Sequence, residues 1–149
     1  MDCPVLWIHA EALGPANPAL LAHPGRPAVF VFEPGLLEGA AGPISLKRIV
    51  FLYECLLELP VTIRQGDGVE EVLAFAARHR ADGVVTSAWV DPQLGGIAAC
   101  VAAALPLQVL EPEPFVDLPE PVDLRRFSRY WRSAGPRLRP DPAATETPT

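Results

Sequence analysis

Three observations in this 149-residue sequence predict an α/β fold, with five parallel strands, helices on both faces and an irregular proline-rich C-terminal extension. Short, continuously apolar runs recur along the first 110 residues, the texture of strands buried on both faces. Stretches with apolar residues at helical spacing alternate with them, as in βαβ units. Glycine and proline punctuate the junctions. The 18 prolines make about 12% of the chain, against an average usage of about 5%, and cut it into short elements.

Val5–His9 (VLWIH) is the first strand, and Ala28–Glu33 (AVFVFE), bounded by Pro27 and Pro34, is the second. Between them NPALLAH forms a helical turn. Ser45–Leu59 is a helix with Ser45 as N-cap, because Leu46, Ile49, Leu52, Leu56 and Leu59 recur every three or four residues and Pro60 ends the pattern. Val61–Arg64 is the third strand, and Gly66-Asp67-Gly68 turns it into a second helix, Val69–Arg80. Glu70 and Glu71 there favour the positive end of the helix dipole. Gly83–Ser87 is the fourth strand and Leu107–Leu110 the fifth. Pro92–Leu105 between them is an Ala-rich helix, apolar on several sides and expected to pack over much of its surface. The architecture implied is a Rossmann-like three-layer sheet.

Composition sets the domain limits. Residues 1–111 read as the α/β domain, 112–139 as an extended Pro/acidic then Arg/aromatic segment packing on or beside it, and 140–149 as a disordered tail. The net charge of −6 is uneven: residues 1–124 hold six Lys/Arg and sixteen Asp/Glu, whereas 125–139 hold six Arg and no acid. An acidic body disfavours nucleic acid as a partner. No apolar run reaches the roughly 20 residues of a membrane span. The start carries Asp2 and no basic region, so a signal peptide is not expected. Three scattered cysteines fit reduced thiols, and the expected setting is cytoplasmic. No Cys/His cluster supports a metal.

Several motifs follow one another in a distinctive order: VLWIHAEALGPANPAL, then a strand running into Glu33-Pro34, then RIVFLYECLLELP, then RQGDGVEEVLAFAARHRADGVVTSAWVDP, then FSRYWRSAGP. From residue 4 to about 136 this order resembles the N-terminal, antenna-type α/β domain of the DNA photolyase/cryptochrome family. The resemblance implies a bacterial-type antenna module standing alone, without the helical domain that binds FAD and damaged DNA, and so without autonomous DNA-repair catalysis. It also implies a chromophore of the flavin, deazaflavin or folate type, which some members hold. Two departures count against that ligand. His9, Ala10 and Glu11 stand where the family has paired Arg and Asp, and no Arg follows the fourth strand until Arg125, which strips an anionic cofactor of its cationic partners.

In an open parallel sheet, ligands bind beyond the carboxyl ends of the strands. The residues gathered there are His9, Glu11, Asn17, Glu33, Ser87, Trp89 and Asp91, a mostly acidic set with Trp89 as a stacking wall. The plainer reading is loop polarity at strand ends, with Asn17 and Asp67 serving as caps and turn residues. His9 with Glu11 or Glu33 forms either an acid/base pair or a satisfied strand-end histidine. Ser87 lacks a nucleophile elbow, and Cys55 and Cys100 read as core thiols. Gly95-Gly96 at a helix start is no dinucleotide fingerprint. The balance is against an enzyme. Arg125, Arg126, Phe127, Arg129, Tyr130 and Trp131 form a candidate partner surface, for a second copy or a FAD-domain protein. Two functions remain open: a small-ligand or chromophore binder, and a structural interaction module that binds no cofactor. A third, a nucleotide-binding α/β protein of the stress-protein kind, lacks its phosphate loop.

Overall fold

The computed structural model of the protein describes residues 1–34, 45–114, 116, 118 and 125–138. It divides into two compact units, Met1–Pro112 and Glu113–Thr149. In the first, β1 (Val5–Ile8), β2 (Ala28–Phe32), β3 (Thr62–Gln65), β4 (Val84–Ser87) and β5 (Leu107–Leu110) form one parallel sheet in the order β3-β2-β1-β4-β5. β1 is central, with Trp7 in register with Val29 on one side and Thr86 on the other. Its residues are buried throughout, as are those of β2 and β4, and this explains the unbroken apolar sequences of β1 and β2. β3 and β5 lie at the edges, and their residues are half-buried or exposed.

Helices α1 (Pro18–Ala22), α2 (Leu46–Leu57), α3 (Gly68–Arg78) and α4 (Pro92–Ala104) connect the strands, each started by a side-chain cap. Asn17, Ser45, Asp67 and Asp91 accept hydrogen bonds from first-turn amides that have no partner within the helix. Alternate side chains of each strand feed opposite layers. Val5, Trp7, Val29, Val31 and Val84 pack with Val72, Phe75 and Ala76 of α3 and Ala98 and Val101 of α4. On the other face, Leu6, Ile8, Ala28 and Val85 meet Ala19 of α1, while Phe30 and Phe32 meet Leu52 and Leu56 of α2. The sheet therefore has helices on both faces, as the sequence predicts.

Four local expectations change. The third strand begins one residue later than expected, at Thr62. In α2 the stripe narrows to Leu52 and Leu56, and Leu46 at its first turn is exposed. The Ala-rich α4 does not pack on several sides, because it is an outer-layer helix and buries only Ala98 and Val101. Composition cannot orient such a helix, since alanine is equally apolar all round. For the same reason Cys100 on α4 is exposed, not a core thiol, and Cys55 is half-buried. The residues 140–149 expected to be disordered lie outside the described residues.

Candidate functional site

The strand order reverses beside β1, with β2 and β3 following on one side and β4 and β5 on the other. At the carboxyl end of β1 a cleft of about 150 Å³ opens between the sheet and the starts of α2, α3 and α4. Trp7, Ile8, Phe30 and Val31 of β1 and β2 line it, with Leu94 and Ile97 of α4. Its polar lining is His9, Glu11, Glu33, Arg48, Asp91 and Gln93. A crevice at the point of reversal is where open α/β sheets bind ligands.

His9 follows β1 directly and is 2% exposed. Its Nε2 lies 3.0 Å from the Ser87 carbonyl oxygen. A carbonyl only accepts, so Nε2 carries the hydrogen and donates it. Burial holds the imidazole pKa below its ordinary 6.5, against the smaller opposing effects of that hydrogen bond and of the Glu11 charge. The ring is therefore neutral at pH 7, and Nδ1 bears a lone pair. Nδ1 has no partner among the described residues, and neither does the buried Ser87 hydroxyl. A buried acceptor left unpaired costs about 1–3 kcal/mol, so such atoms are uncommon in native folds.

The depressed pKa has a consequence for stability. Below pH 6.5 the unfolded chain takes up a proton that folded His9 refuses. This group's contribution is thus complete above 6.5, is lost as pH falls toward the folded pKa, and is flat below it. In urea titrations between about pH 7.5 and about pH 5, His9→Gln should show a shallower loss of stability on acidification than the parent. Gln can still donate to Ser87, so the comparison isolates the titration. Identical pH slopes would refute the assignment.

Two glutamates bind the loops together. Glu11, in the short 3-10 turn Ala10–Ala12, accepts the amides of Val90 at 2.6 Å and Asp91 at 3.0 Å through its two oxygens. Glu33, just after β2, accepts the amide of Gly68 at 2.9 Å, the first residue of α3. A Cβ at Gly68 would overlap Glu33 Oε1 and lie 3.2 Å from Ile97 Cδ1, so the Glu33 carboxylate would have to shift for any larger residue there. Glu33 sits on the first amide of α3 and Glu11 on the two amides just before α4, near the positive ends of those helices, where negative charge is favoured.

Of the residues named from sequence, the cleft brings together His9, Glu11, Glu33 and Asp91. Asn17 lies outside its lining. Buried at 3% exposure, it accepts from the amides of Ala19 and Leu20 and donates to the Ala12 carbonyl, three bonds that tie it into the α1 junction. Ser87 and Trp89 also fall outside. Ser87 meets the site through its carbonyl, and Trp89 packs against the α3/α4 core layer. Sequence reasoning missed Arg48 and Gln93, and took Gly68 only as part of a strand-to-helix turn. The available signal was position, because the first turn of any helix that follows a strand in a parallel sheet faces the strand carboxyl ends.

In the second unit, α5 (Phe127–Leu138) carries the Arg/aromatic surface. Phe127 and Trp131, one turn apart, stack with ring centroids 5.6 Å apart, and Tyr130 lies 6.2 Å from Phe127. Phe127 is 72% exposed and Trp131 45%. Arg125, Arg126 and Arg129 are exposed on the same segment. Among the described residues no helix is long and apolar enough to cross a membrane, and no group of three or more His, Cys, Asp or Glu is placed to hold a metal ion.

No protein-family model matches the chain, and no curated protein matches it either. Among solved structures it is similar to a universal stress protein from Archaeoglobus fulgidus in complex with dAMP, at 12% identity over 76% of this chain and 100% of that one, with a TM-score of 0.41. The photolyase/cryptochrome resemblance is therefore corrected: neither family models nor curated proteins carry it. Its motifs are local solutions to βα junctions. Asn17-Pro18 starts a helix, Gly66-Asp67-Gly68 turns a strand into one, and Asp91-Pro92 starts another. Any chain that alternates strands and helices needs such junctions in sequence, so their order is weak evidence of descent. What stands is an α/β domain with a five-stranded, all-parallel, Rossmann-like sheet and helices on both faces.

Proposed function

We propose that the protein is a small-ligand-binding α/β module, and that its ligand enters the β1 cleft and donates a hydrogen bond to His9 Nδ1. The observation that carries this reading is the buried imidazole, with one nitrogen committed to Ser87 and the other unpaired in a cleft-lining residue. A donor on the ligand would offset the cost of that orphaned acceptor. The volume of about 150 Å³ is that of a cavity taking a benzene-sized guest, below the ~300–1,000 Å³ of drug-sized sites. The cleft would therefore take a head group rather than a whole tricyclic chromophore. A cytoplasmic setting, in which Cys3, Cys55 and Cys100 stay reduced, fits this reading.

The test is imidazole nitrogen NMR of the full chain, titrated with a library of benzene-sized hydrogen-bond donors. A ligand of this site should move the His9 Nδ1 resonance saturably, with little effect on His23 and His79. If no member of the library moves it, the reading fails.

A further inference from the structure

The cleft lies where a parallel α/β sheet would ordinarily offer helix-start amides to an anion. Here the chain's own carboxylates take several of the amides at and just before the helix starts. Glu11 spans the amides of Val90 and Asp91, Glu33 takes that of Gly68, and Asp91 caps Gln93. A phosphate would have to displace a tethered carboxylate and then sit among the others. Arg48 is the one cation in the lining, and it forms no ion pair with these carboxylates among the described residues. Three carboxylates against one guanidinium leave the polar wall net negative.

The same geometry leaves acceptors unused. A carboxylate offers about four lone-pair sites, of which Glu11 uses two and Glu33 one toward these amides. His9 Nδ1 adds a buried acceptor with no partner among the described residues. A protonated primary amine carries three donors and one positive charge. Apolar walls from Trp7, Ile8, Phe30, Leu94 and Ile97 would receive a short hydrocarbon body.

Resting on the reading of the cleft as a ligand site, we propose that its ligand is a small organic ammonium, held by Glu11, Glu33 and His9, and that phosphate-bearing molecules are rejected. The apolar walls suit an organic cation rather than a bare ion.

Three probes of one size separate the charge classes: benzylammonium, benzyl alcohol and phenyl phosphate, each titrated into the full chain with His9 resonances and heat of binding as readouts. Benzylammonium should bind saturably and more weakly as salt rises, and phenyl phosphate should not bind. Glu33→Gln keeps an oxygen for its one backbone hydrogen bond, whereas Glu11→Gln keeps one of its two and sets its amino group against the other amide. Each should weaken benzylammonium by about tenfold, the loss of a charge-assisted contact, with the thermal midpoint as a control for folding. Benzyl alcohol binding as tightly as benzylammonium, or saturable phenyl phosphate, overturns the charge assignment and leaves the ligand site standing. Silence from all three overturns it too, and silence from the wider donor library removes the ligand site as well.

Discussion

Phe30→Ala is expected to lower the free energy of unfolding by about 3–5 kcal/mol, the usual cost of truncating a fully buried phenylalanine. Phe30 is 2% exposed in the middle of β2, in register with Ile8 of β1 and Ile63 of β3. Its ring meets Phe32 edge to face at 4.9 Å, an arrangement worth about 0.5–1.5 kcal/mol beyond burial, and packs in one cluster with Leu52 and Leu56 of α2. Removing it empties the contact between α2 and the sheet and leaves a void that the strand backbone cannot close. Against a typical stability of about 5–15 kcal/mol the loss is severe. Phe30 also lines the ligand cleft, so the same change should enlarge it. Urea unfolding with an unchanged m value is the measurement, and Leu46→Ala at the exposed start of α2 is the control, expected within about 0.5 kcal/mol of the parent. A loss below about 1 kcal/mol for Phe30→Ala would mean that α2 is not packed on β2 as described.

At Gly83 the expected effect comes from crowding rather than from a void. This glycine lies just before β4, with its carbonyl accepting the amide of Val5 at 3.1 Å. A Cβ there would overlap the Met1 sulfur and come within 2.8 Å of the Pro106 carbonyl oxygen. Met1 is flexible and can move aside. The Pro106 oxygen cannot move freely, because it accepts the amide of Val84 at 2.8 Å at the start of the β4–β5 pairing. Gly83→Ala should therefore cost about 1–3 kcal/mol, with a fall in thermal midpoint of roughly 5–15 °C for a unit of this size. Gly96, whose added Cβ would meet nothing within 4 Å, supplies the contrast. An unchanged midpoint for Gly83→Ala would show that the Pro106 carbonyl yields.

The binding region was partly legible in the sequence because strand ends are legible. Once Val5–His9 and Ala28–Glu33 are recognised as neighbouring parallel strands, His9, Glu11 and Glu33 must share one edge of the sheet, and Asp91 joins them as the cap of the next helix. Which hydrogen bonds these groups make was not legible. Asn17 and Glu11 look equally suited to a ligand as letters, yet Asn17 spends its amide group on the α1 junction, whereas Glu11 reaches across about 80 positions to the Val90–Asp91 amides. Arg48 was overlooked because it is read first as a helix residue, and only the packing of α2 against β2 brings it to the cleft.

By itself the sequence determined the layered α/β architecture, the capped helix starts and the identity of the central strands. These follow from periodicity and junction chemistry, which act over a few residues and leave a direct trace in the letters. Only the tertiary structure decided which face of the Ala-rich α4 is buried, that Cys100 is exposed, and that the chain's own glutamates occupy the helix-start amides beside a neutral, half-satisfied His9. Those outcomes depend on contacts between residues tens of positions apart, where burial and the geometry of competing partners, not local propensity, set which group meets which.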